Sequence, residues 1–152
     1  ALGVAHKTWR EISKRDLGRI IKRLEKQEMI SFREDGNKVT IMITEKGKRR
    51  LLEYDFERIE VKAKRRDGKW RLVIFDIPED KKKNRDAFRR KLLQLGMVHV
   101  QDSVFASAFP CRDEIDFLCH FLEISDYVTL VTLDKFERGE KLLFKEFYQG
   151  EI

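Results

Sequence analysis

Residues 70–80 read Trp-Arg-Leu-Val-Ile-Phe-Asp-Ile-Pro-Glu-Asp (WRLVIFDIPED). Five of the first six are large and apolar or aromatic, and they show no period. The run breaks at Asp76, Pro78 and a charge cluster. An apolar run without alternation predicts a strand buried on both faces, ending where the sheet meets water. This strand is the expected centre of a small α+β domain.

Working forward, Pro78 stops the ladder. A helix is predicted from about Arg85 to Leu95, with Phe88, Leu92, Leu93 and Leu95 apolar and Gly96 as the residue that closes it. Met97 to Phe109 is rich in β-branched and aromatic residues, enough for one long strand or for two with a bend near Asp102-Ser103. A second helix follows from Asp113 to Leu122, then a strand from Tyr127 to Leu133 and a closing helix from Glu140 to Phe147. The order β-α-β(β)-α-β predicts a ferredoxin-like (split βαβ) sheet with helices on one face.

Working backward, Asp67-Gly68 marks a turn, and residues 58–69 (RIEVKAKRRDGK) are strongly basic. That charge run reads equally as a solvated linker or as a stretch lying along phosphates. Before it, Val39, Ile41 and Ile43 alternate with Thr40, Met42 and Thr44. Met29, Ile30 and Phe32 precede them across the turn Glu34-Asp35-Gly36-Asn37, which predicts a hairpin. Thr44-Glu45-Lys46-Gly47 opens a further helix. Upstream, Ser13 and Asp16 have the spacing of a capping box. Leu17, Ile20, Ile21 and Leu24 then form one apolar stripe on a helix from about Lys14 to Gln27. Arg15, Arg19, Lys22 and Lys26 share the opposite face, with Arg23 beside them. Trp9 to Ser13 is expected to close an earlier short helix. The chain opens at Ala1 in mid-pattern, so a further N-terminal helix is expected before it.

A basic face on an amphipathic helix is by itself an ordinary solvated surface. Followed by a ribbon and another helix, it takes the order of a winged helix-turn-helix, whose recognition helix enters the major groove. On that reading Arg15, Arg19, Lys22, Arg23 and Lys26 are candidate DNA contacts, joined by Arg33 and Lys38 on the wing.

The charge distribution agrees. The 152 residues carry a net charge of +6. Residues 1–69 hold a net +8 and residues 70–152 a net −2. A basic half beside a near-neutral half suggests a polyanion-binding module joined to one with another task. The expected organisation is a winged helix at 1–60, a basic linker at 61–69, a ferredoxin-like dimerisation domain at 70–135 and a C-terminal helical tail at 136–152. Cys111 and Cys119 are the only cysteines. They are too few for a disulfide framework or a zinc site, and they are read as reduced core thiols of a cytoplasmic protein. No apolar run approaches a membrane span, and no signal peptide is expected. The histidines His6, His99 and His120 assemble no catalytic arrangement.

Two family resemblances rest on these strings. Residues 73–105, with VIFDIPED and NRDAFRRKLLQLGMVHVQDSVF, resemble the small ferredoxin-fold adaptor nuclease of CRISPR spacer acquisition. Over nearly its full length the chain resembles the PaaX-like regulators, the phenylacetate-catabolism repressor type. Asp67–Glu79 (DGKWRLVIFDIPE) and Phe109–Leu118 (FPCRDEIDFL) carry that second likeness. It implies a transcriptional regulator, expected to be a repressor, that binds double-stranded DNA as a homodimer. It also implies an effector. An acyl-coenzyme A is usual in that family, yet no residue here reads as binding one, so the small-molecule effector stays unknown. The further C-terminal helical domain of larger members is not expected, since this chain ends at Ile152. The nuclease likeness implies an alternative. Asp76 from each of two subunits would hold magnesium for phosphodiester hydrolysis, with Glu79 and Asp80 adding negative charge. The plain reading of Asp76 is a strand-end residue, and no cofactor is then expected. A third possibility is a protein-interaction module whose basic face docks on an acidic partner.

Overall fold

The computed structural model describes residues 13–148. The chain divides into two compact units between Glu57 and Arg58. The earlier helix expected at Trp9–Ser13 lies outside the described residues, apart from Ser13.

The first unit runs α1 (Lys14–Lys26), β1 (Ile30–Asp35), β2 (Lys38–Ile43), α2 (Glu45–Glu57). Ser13 caps α1 as its spacing predicts. Its hydroxyl accepts from the Asp16 N–H at 3.1 Å and donates to the Asp16 carboxylate at 2.7 Å. The helix stops in a Schellman turn. Glu28 takes a left-handed φ of 60°. Its N–H then reaches the Glu25 carbonyl, and the Met29 N–H reaches that of Leu24. Gly36-Asn37 joins β1 to β2. A positive φ at Gly36 but not at Asn37 is the backbone of a II′ hairpin turn.

Thr44 ties the ribbon to both helices. Its hydroxyl donates to the Glu28 carbonyl at 2.7 Å and accepts from the Gly47 N–H at 3.0 Å, capping α2. Gly47 sits so close to this junction that a Cβ there would lie 2.1 Å from the Met29 carbonyl oxygen.

The second unit contains β3 (Trp70–Phe75), α3 (Lys82–Gln94), β4 (Val98–Gln101), β5 (Val104–Ser107), α4 (Arg112–Phe121), β6 (Val128–Leu133) and α5 (Glu140–Tyr148). The sheet order is β4-β5-β3-β6, antiparallel throughout. This is the ferredoxin-like arrangement, with β3 next to centre. Met97 to Phe109 thus resolves into two strands turning at Asp102-Ser103. Gly96 closes α3 with a φ of +77°. Helix α3 starts earlier than expected, after a 3₁₀ turn at Glu79–Lys81. The lysines at 82 and 83 read as a charged loop, yet Lys is a good helix former, and first-turn N–H groups need no helical partner.

Val73 and Phe75 face the helices. Phe75 meets Phe88 of α3 edge-on at 5.3 Å and stacks with Phe105 of β5 at 6.0 Å. Phe88, Leu92, Ile115 and Leu118 are fully buried. The opposite face carries Trp70, Leu72 and Ile74, and here the expectation of a strand buried on both sides is corrected. Trp70 is buried among Phe136, Phe144 and Phe147, with ring centroids at 5.6, 5.2 and 6.1 Å. Its indole N–H donates to Glu140 at 3.1 Å. Ile74, at the other end, is 39% exposed. Helix α5 has nine residues. At about 1.5 Å per residue it is too short to roof the whole face.

Candidate nucleic-acid interface

On α1 the apolar stripe Leu17, Ile20, Ile21 and Leu24 is half-buried, while Arg15, Arg19, Lys22, Arg23 and Lys26 are all exposed. Arg19 stands 3.9 Å from Asp16, a weak exposed pair. Arg15, Lys22, Arg23 and Lys26 have no acidic partner among the described residues. The face is therefore cationic in fact as well as in sequence.

The ribbon register sorts its side chains. Directly opposed residues share a face, so Ile30, Phe32, Val39, Ile41 and Ile43 lie together, with Glu34. Ser31, Arg33, Asp35, Lys38, Thr40 and Met42 lie on the other. Arg33 and Lys38 thus occupy one polar face, Arg33 opposite Thr40 and Lys38 opposite Asp35. Both are exposed. The sequence reading missed Arg49 of α2. In the run Lys46, Lys48, Arg49, Arg50, the other three pair with Glu28, Glu45 and Glu53, and Arg49 alone has no acidic partner among the described residues. Its signal was the KGKRR string itself.

Residues 58–69 belong with the second unit. The Lys62 N–H donates to the buried Glu114 carboxylate at 2.8 Å. Arg66 lies over the Phe144 ring at 5.4 Å, and Lys69 is 3.9 Å from Asp134. Lys62, Lys64 and Arg65 keep exposed side chains.

Asp76 is exposed at the end of β3, with its N–H donating to the Tyr127 carbonyl at 3.0 Å. Glu79 does not act as free negative charge beside it, because Arg85 holds its carboxylate at 3.0 Å. Among the described residues no group of three or more His, Cys, Asp or Glu could hold a metal ion. The magnesium alternative calls for Asp76 from each of two subunits, and one chain supplies one such carboxylate.

An open groove of about 500 Å³ lies between Val61, Ala63, Met97, Val98, Phe109 and Phe147. Its one charged lining residue is Glu146. Among the described residues it offers no side-chain cation to a phosphate. No helix among the described residues is long and apolar enough to cross a membrane.

A family model, the PaaX protein central Cas2-like domain, matches residues 63–142. The chain belongs to the PaaX family. In this PaaX-family chain the match takes in the whole four-stranded sheet and enters α5. The basic α1 and its ribbon lie outside it. No curated protein matches the chain.

Proposed function

We propose that this PaaX-family chain is a DNA-binding transcriptional regulator, a repressor that grips operator DNA as a dimer. Helix α1 is the recognition helix of a winged helix-turn-helix, β1–β2 is its wing, and α2 follows it. The ferredoxin-like unit joins two copies, so that two recognition helices meet a two-fold operator. The observation that carries the reading is the unneutralised cationic face of α1, opposite its half-buried stripe. Family membership supports a regulator, and the polar wing face with Arg33 and Lys38 supports a backbone contact beside the major groove.

The test is a mobility shift on duplexes from the gene's own upstream region. Arg15→Glu, Arg19→Glu and Lys22→Glu together abolish the shift at moderate salt. Removing a bidentate arginine–base pair should cost about 1–3 kcal/mol of discrimination. Unchanged duplex affinity in that triple variant overturns the reading.

A further inference from the structure

The two edges of the four-stranded sheet are built differently. Strand β4 has four residues and a register shift between His99 and Gln101, and α5 packs near it. Shortness, a bulge and a covering element are the usual protections of a sheet edge. Strand β6 has neither the shortness nor the bulge, and α4 packs near it much as α5 does near β4. It runs six residues, Val-Thr-Leu-Val-Thr-Leu, with no charge, no proline and no register shift against β3.

The hydrogen-bond phase of β6 follows from its partner. Asp76 N–H donates to the Tyr127 carbonyl, and Phe75 N–H donates the other way, to Ser103. Even-numbered residues of β3 therefore bond towards β6, where their register partners are Thr129, Val131 and Leu133. Bonding alternates along an antiparallel pair. Val128, Leu130 and Thr132 thus turn their N–H and C=O groups to the open side.

From this phase we infer that β6 pairs antiparallel with β6 of a second copy, about a two-fold axis at Leu130. Leu130 then faces Leu130, and Val128 faces Thr132 of the second copy. Each such pair exchanges two hydrogen bonds, which satisfies every outward group of the strand. Between them Thr129 meets Val131 of the second copy as a β-branched cross-strand pair. No charged side chain of the strand opposes another. Asp126 and Asp134 come opposite each other beyond its ends, and Lys69 beside Asp134 offsets that repulsion. Ile74, Val131 and Tyr127, all exposed, lie along this edge. The inference rests on the dimeric reading above and names the edge that reading requires.

Sedimentation equilibrium on the full chain tests it. Thr132→Pro removes an N–H that the ladder phase turns away from β3 and that bonds nothing among the described residues, so the monomer keeps its circular dichroism while self-association weakens. Thr129→Lys with Val131→Lys changes two exposed positions and sets like charges directly opposite across the axis. Either variant should weaken the dimer about tenfold or more, one cross-strand pair with its hydrogen bonds. If Thr132→Pro does not fold, the double lysine variant decides. A wild-type dimer that both folded variants leave equally tight overturns the β6 edge and spares the dimeric reading. A wild-type monomer at about 100 µM, where even a weak pair of Kd near 10 µM would be mostly dimeric, overturns both.

Discussion

Asp67 and Arg71 are locked by a two-pronged contact, Oδ1 to Nη1 and Oδ2 to Nη2, at 2.5 Å each. Gly68, at φ +77°, turns the chain between them, and the Lys69 N–H donates back to Asp67 at 3.2 Å. Arg71 is only 11% exposed in its side chain. The Asp67-Gly68-Lys69-Trp70-Arg71 string is thus a clamp that launches the central strand. The guanidinium holds the Asp67 carboxyl well below the usual carboxylate range. A carboxyl depressed on folding stabilises fully above its unfolded value, near 3.8, and that contribution drains away as the pH drops below it. Urea midpoints taken from pH 7 to pH 2 should fall in this acid window. Asp67→Asn should be less stable at pH 7 and flatter below pH 4. Parallel curves for the two proteins would contradict the clamp.

Gly47 is required by distance alone. Its backbone is ordinary, but an added Cβ would meet the Met29 carbonyl at 2.1 Å and Ile43 Cγ1 at 2.9 Å. The Met29 carbonyl is also the acceptor for the Thr44 N–H, so it cannot retreat without breaking that bond. Gly47→Ala should destabilise the first unit by about 1–3 kcal/mol, the usual cost of overpacking, despite the better helix propensity of alanine. Thermal denaturation followed by circular dichroism measures it. A neutral or stabilising result would mean that the ribbon and α2 do not approach this closely.

Cys111 and Cys119 are buried, and burial pushes each thiol up to about 11, with Glu114 and Asp116 respectively adding to the shift. At pH 8 roughly one molecule in a thousand would carry a thiolate at either position. The folded chain should therefore resist a thiol-specific reagent at pH 8 and react at both cysteines once urea unfolds it. Rapid labelling of the native protein would contradict the packing around α4.

What the sequence made legible follows from how local each signal is. Ser13 with Asp16, and Gly96 after α3, are caps that need only their own helix, and both appear where the spacing puts them. The α1 stripe and its cationic face follow from a period of 3.6. The sharing of one ribbon face by Arg33 and Lys38 depends on the loop being the two residues Gly36-Asn37, because one residue more would turn one of them over. The exposure of Ile74 depends on how far α5 reaches, which no residue in WRLVIFDIPED records. Likewise Glu79 reads as free charge beside Asp76 until α3 brings Arg85 to 3.0 Å. Glu28 carries a left-handed φ without being glycine, so no residue type marked the stop of α1, yet the helix ends within a residue of the expected Gln27.

The shared face of Arg33 and Lys38 has a measurable consequence if the ribbon lies on a DNA backbone. Side chains that touch phosphates add affinity without sequence preference, and each phosphate neutralised contributes about −0.9 to the slope of log K against log salt. Arg33→Ala with Lys38→Ala should therefore weaken operator and unrelated duplexes alike and reduce that slope by roughly 1 to 2. Phe32 and Ile41, on the ribbon's other face, are untouched by the substitution, so the fold should hold. Arg15→Ala on α1 should behave differently if it reads a base, with a loss concentrated on the operator and about 1–3 kcal/mol of specificity gone. Titrations by fluorescence anisotropy at several salt concentrations separate the two. An unchanged slope in the Arg33/Lys38 variant would take the ribbon off the DNA and leave α1 to bind alone.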